Sequence, residues 1–135
     1  MFHHALDYRV CYADTDKMGF VYYANYLTLF ERIRTELFRN LGLNYADLEA
    51  EGIGMPVLEA SSHYHSPAHY DDLLGCYGEL TEFQGLRVKI SCRVQRGDTL
   101  LVDGYVVLTF MDLATGKPRR ISPELRRRFQ ELLGQ

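Results

Sequence analysis

The hydrophobic and polar positions near the start of the chain change their period once. From Leu6 to Tyr12, apolar or aromatic residues alternate with polar or small ones, which is the period of a half-buried strand. From Tyr26 to Leu41 the apolar residues instead recur at spacings of three and four, which is the period of a helix with one buried face. The pattern predicts a strand followed by a long helix. The predicted core stripe of this helix is Tyr26, Phe30, Ile33, Leu37 and Leu41, flanked by Leu27, Leu29 and Phe38.

A second, short helix is predicted directly after the long one. Gly42 follows the apolar stripe, and glycine commonly ends a helix. Asn44 is a suitable N-cap, with Asp47 three positions later, and Gly52 can close the element. The helical half of the chain therefore ends near Gly52.

The next part of the chain has the pattern of strands. Four runs of apolar and β-branched residues are separated by turn residues: Val57 to His65, Leu73 to Phe83, Leu86 to Val94 and Leu100 to Met111. Because they follow one another closely, we expect them to pair in order as a meander. The third run alternates most clearly, with Val88, Ile90 and Cys92 on a core face and Arg87, Lys89, Ser91 and Arg93 on a solvent face.

The last predicted element is a third helix. Ser122 followed by Pro123 is a helix-start pattern, and it predicts a basic terminal helix from Glu124 to Leu133. Five strands and three helices, with the long helix as the only large apolar partner of the sheet, predict an α+β fold. A length of 135 residues fits one domain, residues 1–135.

Composition and charge exclude several classes of protein. With 47% hydrophobic and 24% charged residues the chain is an ordinary globular protein rather than a disordered one. No apolar run approaches the ~18 residues of a membrane span, and the first residues lack a signal-peptide pattern, so we expect a cytoplasmic protein without membrane insertion. A net charge of −3 provides no general attraction for nucleic acid or an anionic membrane. The basic run Arg126 to Arg128 is more simply a solvated face or a subunit contact.

The candidate chemistry lies between the first strand and the long helix. Asp14 and Asp16 precede Gly19, and tyrosines surround them. The first N–H groups of a helix carry a partial positive charge, and an enzyme that attacks a carbonyl needs such a donor together with a carboxylate or other base near the carbonyl carbon. The alternative is that both aspartates only cap the turn and the helix.

Two ordered motifs identify a family resemblance. The segment YADTDKMGFVYYANY at Tyr12 to Tyr26, followed by FERIRTE, resembles the 4-hydroxybenzoyl-CoA thioesterase family and its YbgC-like acyl-CoA thioesterase branch. The segment YHSPAHYDDL at Tyr64 to Leu73 is similar to a second motif of that family. The resemblance implies a hot-dog fold, in which an antiparallel five-stranded sheet wraps around the long central helix. It also implies homodimers, often paired as tetramers, with active sites at subunit interfaces.

The resemblance assigns roles to individual residues. Asp16 matches the catalytic carboxylate, acting as nucleophile or general base, and the backbone N–H of Tyr23 matches the group that polarises the thioester carbonyl. Asp14 takes a supporting role. The YbgC-like branch commonly has histidine at the position of Tyr23, so this chain keeps the backbone donor and lacks that side chain. The implied activity is hydrolysis of short-chain or aromatic acyl-CoA thioesters without a cofactor, because coenzyme A is part of the substrate.

The phosphates of coenzyme A require a local basic patch. Arg119 and Arg120 match a basic stretch that contacts the nucleotide in the family, and we rank them first. Arg87 and Lys89, on the solvent face of their strand, are the second choice. A solvated surface explains each of these residues equally well when it is taken singly.

Three alternatives stay open from the sequence. His63, His65 and His69 could bind a metal, although three histidines near a strand end are more often surface or interface residues. A hot-dog dehydratase is the nearest enzymatic rival. A non-catalytic acyl-carrier or envelope-associated binding protein would bind a ligand in its cleft without cleaving it. The leaving thiol could belong to coenzyme A or to acyl-carrier protein.

Overall fold

The structure is a computed structural model that describes all residues 1–135. Its main helices are α1 (Asn25–Asn40), α2 (Tyr45–Ala50) and α3 (Pro123–Leu132). Its strands are β1 (His3–Arg9), β2 (Ile53–Gly54), β3 (Val57–Tyr64), β4 (Leu73–Gln84), β5 (Arg87–Arg96), β6 (Thr99–Leu108) and β7 (Met111–Asp112). Five strands form one antiparallel sheet in the order β1-β4-β5-β6-β3, and β2 pairs separately with β7.

The strand order corrects the predicted four-stranded meander. Only β4, β5 and β6 pair in sequence order, joined by two-residue turns, whereas β3 lies at the far edge beside β6. The reason is the segment between β3 and β4, which does not form a tight turn. It packs on the loop before α1 instead, where the Val21 N–H donates to the Ala68 carbonyl at 2.8 Å.

Helix α1 packs on the large sheet, as predicted, and contacts all five of its strands. Phe30, Ile33 and Leu37 are fully buried. Gly78 on β4 allows the close approach, because a Cβ at this position would lie 2.6 Å from Cγ2 of Ile33. Leu27 departs from the prediction, since it is 42% exposed. Because the other core side chains hold the long helix against the sheet, the helix fixes the position of the loop that precedes it.

The two other helices confirm their predicted start residues. The Asn44 side chain accepts a hydrogen bond from the Ala46 N–H at 3.0 Å, and the Ser122 hydroxyl accepts one from the Leu125 N–H at 3.2 Å. Helix α3 packs on the core through Phe129. This ring contacts three other aromatic rings, those of Phe38, Phe83 and Phe110. None of the helices has the length and apolar character needed to cross a membrane.

Two of the three cysteines belong to the core. Cys76 and Cys92 are buried on β4 and β5, and burial raises the pKa of both thiols to about 12. A thiol is a nucleophile only as the thiolate, so these side chains act as packing groups.

Candidate active site

The acidic loop, residues 12–24, joins β1 to α1 through a tight turn. The Asp16 N–H donates to the Phe20 carbonyl at 2.8 Å, and the Gly19 N–H donates to the Asp16 carbonyl at 2.9 Å. Gly19 has a φ of +83°, a conformation that residues with a side chain rarely adopt. Gly19 is therefore the pivot of the loop, and the turn fixes the backbone on both sides of Asp16.

The Asp16 carboxylate is held by one oxygen and open at the other. Its Oδ1 accepts hydrogen bonds from the backbone N–H groups of Met18, at 2.9 Å, and Phe20, at 3.2 Å. Its Oδ2 has no hydrogen-bond partner in the chain, and the half-buried side chain lines a pocket. An oriented carboxylate with one free oxygen can attack an electrophile or accept a proton from water.

The backbone N–H of Tyr23 lies at the end of the same loop. It makes no hydrogen bond within the chain, whereas the N–H groups of Tyr22, Asn25 and Tyr26 all have backbone acceptors. Tyr23 directly precedes the N-cap residue of α1, so its N–H lies near the positive end of the helix dipole. The Tyr23 carbonyl accepts a hydrogen bond from the Tyr64 hydroxyl at 3.2 Å, which ties this part of the backbone to β3.

Asp16 and Tyr23 line the same pocket, which has a volume of about 290 Å³. The two family motifs meet at this pocket, because the ring of Phe20 in the first motif lies 5.4 Å from the ring of His69 in the second. Burial raises the pKa of the Tyr26 hydroxyl, so the part of the pocket lined by Tyr26 stays uncharged. The ten lining residues are Asp16, Met18, Phe20, Val21, Tyr23, Tyr26, Tyr64, His65, Ser66 and Pro67.

Asp14 lies outside this pocket, and its carboxylate is tied to β1 and the residues that follow it. Its Oδ2 accepts from the Tyr8 hydroxyl at 2.6 Å, from the Cys11 N–H at 2.9 Å and from the Cys11 thiol at 3.2 Å. Burial acts to raise the pKa of this carboxyl, but the hydrogen bonds from Tyr8 and Cys11 outweigh burial and lower the pKa below its ordinary value. Asp14 therefore anchors the acidic loop to β1.

None of the four basic residues predicted to bind coenzyme A lines the Asp16 pocket. Arg87 and Lys89 lie on the solvent face of β5, as predicted, and both are within 3.7 Å of the Glu82 carboxylate. The Lys89 ammonium also lies 4.3 Å from the centre of the Tyr105 ring. These two cations are engaged with their own sheet.

Arg119 and Arg120 differ from each other. Arg119 donates to the Glu51 carbonyl at 2.8 Å and lies 3.7 Å from the Asp112 carboxylate. Arg120 is exposed and has no carboxylate partner. It lines a surface groove of about 580 Å³ together with Gly85 and Arg126, so Arg120 is the freer of the two cations.

Two of the three histidines of the metal alternative have different partners. His65 pairs with Asp103 on β6, at 2.8 Å between Nε2 and Oδ1, whereas His69 packs on Phe20. The structure has no group of three or more His, Cys, Asp or Glu side chains placed to hold a metal ion. No local sequence pattern indicates the pair of His65 and Asp103, because Asp103 reaches His65 only through the pairing of β3 with β6.

Comparison with known proteins covers nearly the whole chain. Residues 10–129 match the sequence profile of the thioesterase-like superfamily. The acyl-CoA thioester hydrolase YbgC of Escherichia coli O6:H1 is 32% identical over 124 residues, which span 91% of this chain and 92% of that protein. The acyl-CoA thioesterase YbgC of Haemophilus influenzae is 34% identical over 125 residues, or 92% of each chain.

Solved structures give the same result. A probable thioesterase from Bartonella henselae has a TM-score of 0.82 at 34% identity, covering 90% of this chain and 100% of that one. A DHNA-CoA thioesterase from Staphylococcus aureus has a TM-score of 0.88 at 28% identity, covering 93% and 87% of the two chains. The backbone arrangement described above is therefore shared with these proteins.

Proposed function

Since this chain belongs to the thioesterase-like superfamily and is a thioester hydrolase with the predicted hot-dog fold, we propose that Asp16 and the Tyr23 N–H form its catalytic centre for acyl-CoA hydrolysis. One observation carries the proposal. A carboxylate oxygen without a partner and a backbone N–H without an acceptor belong to residues that line the same pocket. The printed names of the YbgC relatives support acyl-CoA thioesters as the substrate class.

The Tyr23 N–H stabilises the charge that develops during the reaction. When the thioester carbonyl carbon is attacked, its oxygen becomes negative, and the Tyr23 N–H, just before the N-cap of α1, donates to it. The bond from Tyr64 to the Tyr23 carbonyl helps to hold the backbone in place, so little reorganisation is needed. The exposed tyrosine side chain is not required for this role.

Asp16 acts on the carbonyl carbon by one of two routes. In the first, Oδ2 attacks the carbon, the C–S bond breaks, and a mixed anhydride of Asp16 and the acyl group forms. In the second, Oδ2 accepts a proton from water, and the water oxygen attacks instead. The two bonds to Oδ1 keep the carboxylate oriented in either route.

The pocket favours a short-chain or aromatic acyl group. Its volume of about 290 Å³ is small, and Phe20, Tyr26 and Tyr64 supply aromatic walls. Aromatic rings pack edge-to-face or offset against one another, as Tyr26 and Tyr64 already do at 5.7 Å. The acyl part binds here while the thiol part points out of the pocket.

For the phosphates of coenzyme A, Arg120 is the first candidate. It has no carboxylate to compete with a phosphate, whereas Arg119, Arg87 and Lys89 each have one. Arg126 lines the same groove and donates to the Gly85 carbonyl at 2.9 Å. The chemistry uses no cofactor, because coenzyme A enters as part of the substrate.

The proposed assembly is a homodimer that pairs again as a dimer of dimers. Strand β3 is an edge strand of the large sheet, and Val57 and Leu58 on it are 50% and 62% exposed. Edge strands with free backbone groups and apolar side chains pair readily with a second copy. Light scattering on the purified protein checks the assembly.

A panel of thioesters tests the function. The wild type and Asp16→Asn are assayed for thiol release from short-chain acyl-CoA, long-chain acyl-CoA, aromatic acyl-CoA and an acyl-carrier protein thioester. We expect rapid release from the short or aromatic CoA substrates and almost none from Asp16→Asn. Binding without thiol release would favour the non-catalytic alternative, and hydration of an enoyl thioester would favour the dehydratase.

A further inference from the structure

His65 is a second ionisable group of the Asp16 pocket that the mechanism above does not use. It directly follows β3, where its backbone N–H donates to the Leu101 carbonyl at 2.7 Å. The residue lines the pocket, and its side chain is 47% exposed. Apart from Asp16, His65 and three tyrosines, no residue of the pocket wall has an ionisable side chain.

Asp103 fixes the ring of His65. The Nε2 atom lies 2.8 Å from Oδ1 of Asp103, and Nδ1 has no hydrogen-bond partner in the chain. An ionised carboxylate only accepts hydrogen bonds, so Nε2 carries the proton in the neutral imidazole and Nδ1 keeps its lone pair. A carboxylate that holds a histidine in one tautomer prepares the other nitrogen to accept a proton.

The first route for Asp16 requires a second base in the pocket. Once Oδ2 has attacked the thioester, the Asp16 carboxylate is part of the anhydride and can no longer accept a proton from water. The remaining ionisable side chains of the pocket are the tyrosines and His65. Phenol hydroxyls are protonated at neutral pH, whereas a neutral imidazole is a base in this range.

We propose that His65, positioned by Asp103, is the base that activates water for hydrolysis of the acyl-Asp16 anhydride. The inference rests on the proposed function of Asp16. Two residues of one pocket then act in the two halves of the reaction: Asp16 attacks the thioester, and His65 activates the water that hydrolyses the anhydride.

The step is balanced in atoms and charge. The lone pair of Nδ1 takes one proton of the water, and the water oxygen forms a bond to the acyl carbon. The bond from the acyl carbon to Oδ2 of Asp16 breaks, and its electron pair leaves with Asp16 as a carboxylate. The imidazolium then loses its proton to solvent, and the thiolate released in the first half takes up a proton from solvent, so that one thioester and one water give one acid and one thiol.

The experiment measures thiol release and anhydride hydrolysis separately. Rapid mixing measures thiol release from the best acyl-CoA substrate, and acid quench followed by mass spectrometry detects the acyl group on the peptide that contains Asp16. The variant is His65→Gln, because the glutamine amide can still donate to Asp103 but cannot accept a proton. His63→Gln is the matched control, since His63 precedes His65 by two residues on β3, pairs in register with Asp103 and does not line the pocket.

For His65→Gln we expect one thiol per active site in a fast phase, then steady turnover lower by about 10²-fold, the usual contribution of a general base. The acylated Asp16 peptide accumulates, and His63→Gln behaves as wild type. Asp103→Asn, which tests Asp103 as a positioning residue, gives the same fast phase and a smaller loss of kcat, with KM unchanged.

Two results would overturn the inference. One is wild-type turnover in His65→Gln, and the other is slow turnover in which thiol and acid appear together without a fast phase or an acylated peptide. If thermal unfolding shows that His65→Gln does not fold, the same two criteria apply to Asp103→Asn. Full activity of Asp16→Asn is a different outcome, because it contradicts the proposed function itself.

Discussion

Asp14 and Asp16 are two residues apart in the acidic loop, and the structure places them in opposite situations. The Asp14 Oδ2 accepts three hydrogen bonds from Tyr8 and Cys11, and the pKa of the carboxyl is lowered by these bonds. The Asp16 carboxylate has two backbone donors on Oδ1 and a free Oδ2, and the residue lines a pocket. Each carboxylate keeps one oxygen without a partner in the chain, so the difference between them is the pocket that Asp16 shares with Tyr23 and that Asp14 does not line.

The largest expected effect is the loss of activity in Asp16→Asn. The amide oxygen can still accept from the N–H groups of Met18 and Phe20, so the loop keeps its shape, but a neutral amide neither attacks a thioester nor accepts a proton. We expect kcat to fall by about 10³-fold with little change in KM or in the thermal midpoint. Steady-state kinetics with the best acyl-CoA substrate checks this, and kcat within tenfold of wild type would contradict the assignment.

Asp14→Asn should show the opposite behaviour. A neutral side chain weakens the hydrogen bonds from Tyr8 and Cys11, since bonds to charged groups are stronger than neutral ones. We expect the free energy of unfolding to fall by about 1–2 kcal/mol, while kcat stays within about tenfold of wild type below the unfolding transition. Urea denaturation measures the first quantity. A loss of activity as large as that of Asp16→Asn would remove the distinction between the two aspartates.

A smaller effect is expected from Tyr64→Phe. The change removes the hydroxyl that donates to the Tyr23 carbonyl, so the backbone donor is less firmly placed, while the ring that lines the pocket remains. One hydrogen bond is worth about 1 kcal/mol, and we expect kcat to fall about fivefold. Tyr70→Phe is the control, because Tyr70 is exposed and packs on Tyr12 outside the pocket. Equal kinetics for the two variants would show that the bond has no role.

The smallest effect concerns acid stability. A carboxyl whose pKa is lowered in the folded state adds stability above its unfolded pKa, and this stability is lost as the pH falls through the folded pKa. The stability difference between wild type and Asp14→Asn should therefore be constant at neutral pH and shrink below about pH 4. Denaturation curves at several pH values measure the difference, and a constant value down to acid pH would mean that Asp14 ionisation does not support the fold.

The elements of the fold could be predicted from local sequence patterns. The stripe of α1, the alternation of β5 and the caps Asn44 and Ser122 depend on neighbours within a few residues, and the structure confirms them. The position of β3 could not be predicted in this way. Its period matches that of the other strands, and its place beside β6 depends on the segment between β3 and β4 packing on the acidic loop.

The site shows the same division between local and distant information. Asp16, Gly19 and Tyr23 lie within one short motif, so a motif can identify them, and the pivot at Gly19 follows from its positive φ. The partner of His65 is Asp103, 38 residues later, and nothing in the local pattern connects them. The roles of Arg119, Arg120, Arg87 and Lys89 toward coenzyme A stay predictions, since charge alone does not tell a phosphate site from a surface ion pair.

The central claim is that Asp16 and the Tyr23 N–H act on the same thioester group. A crystal structure with an inert acyl-CoA analogue, in which a methylene separates the carbonyl from sulfur, tests it most directly. We expect the carbonyl oxygen at about 2.7–3.1 Å from the Tyr23 nitrogen and the carbonyl carbon at about 3–3.5 Å from Oδ2 of Asp16. An analogue whose carbonyl binds outside the pocket, or whose oxygen takes its hydrogen bond from another donor, would contradict the account.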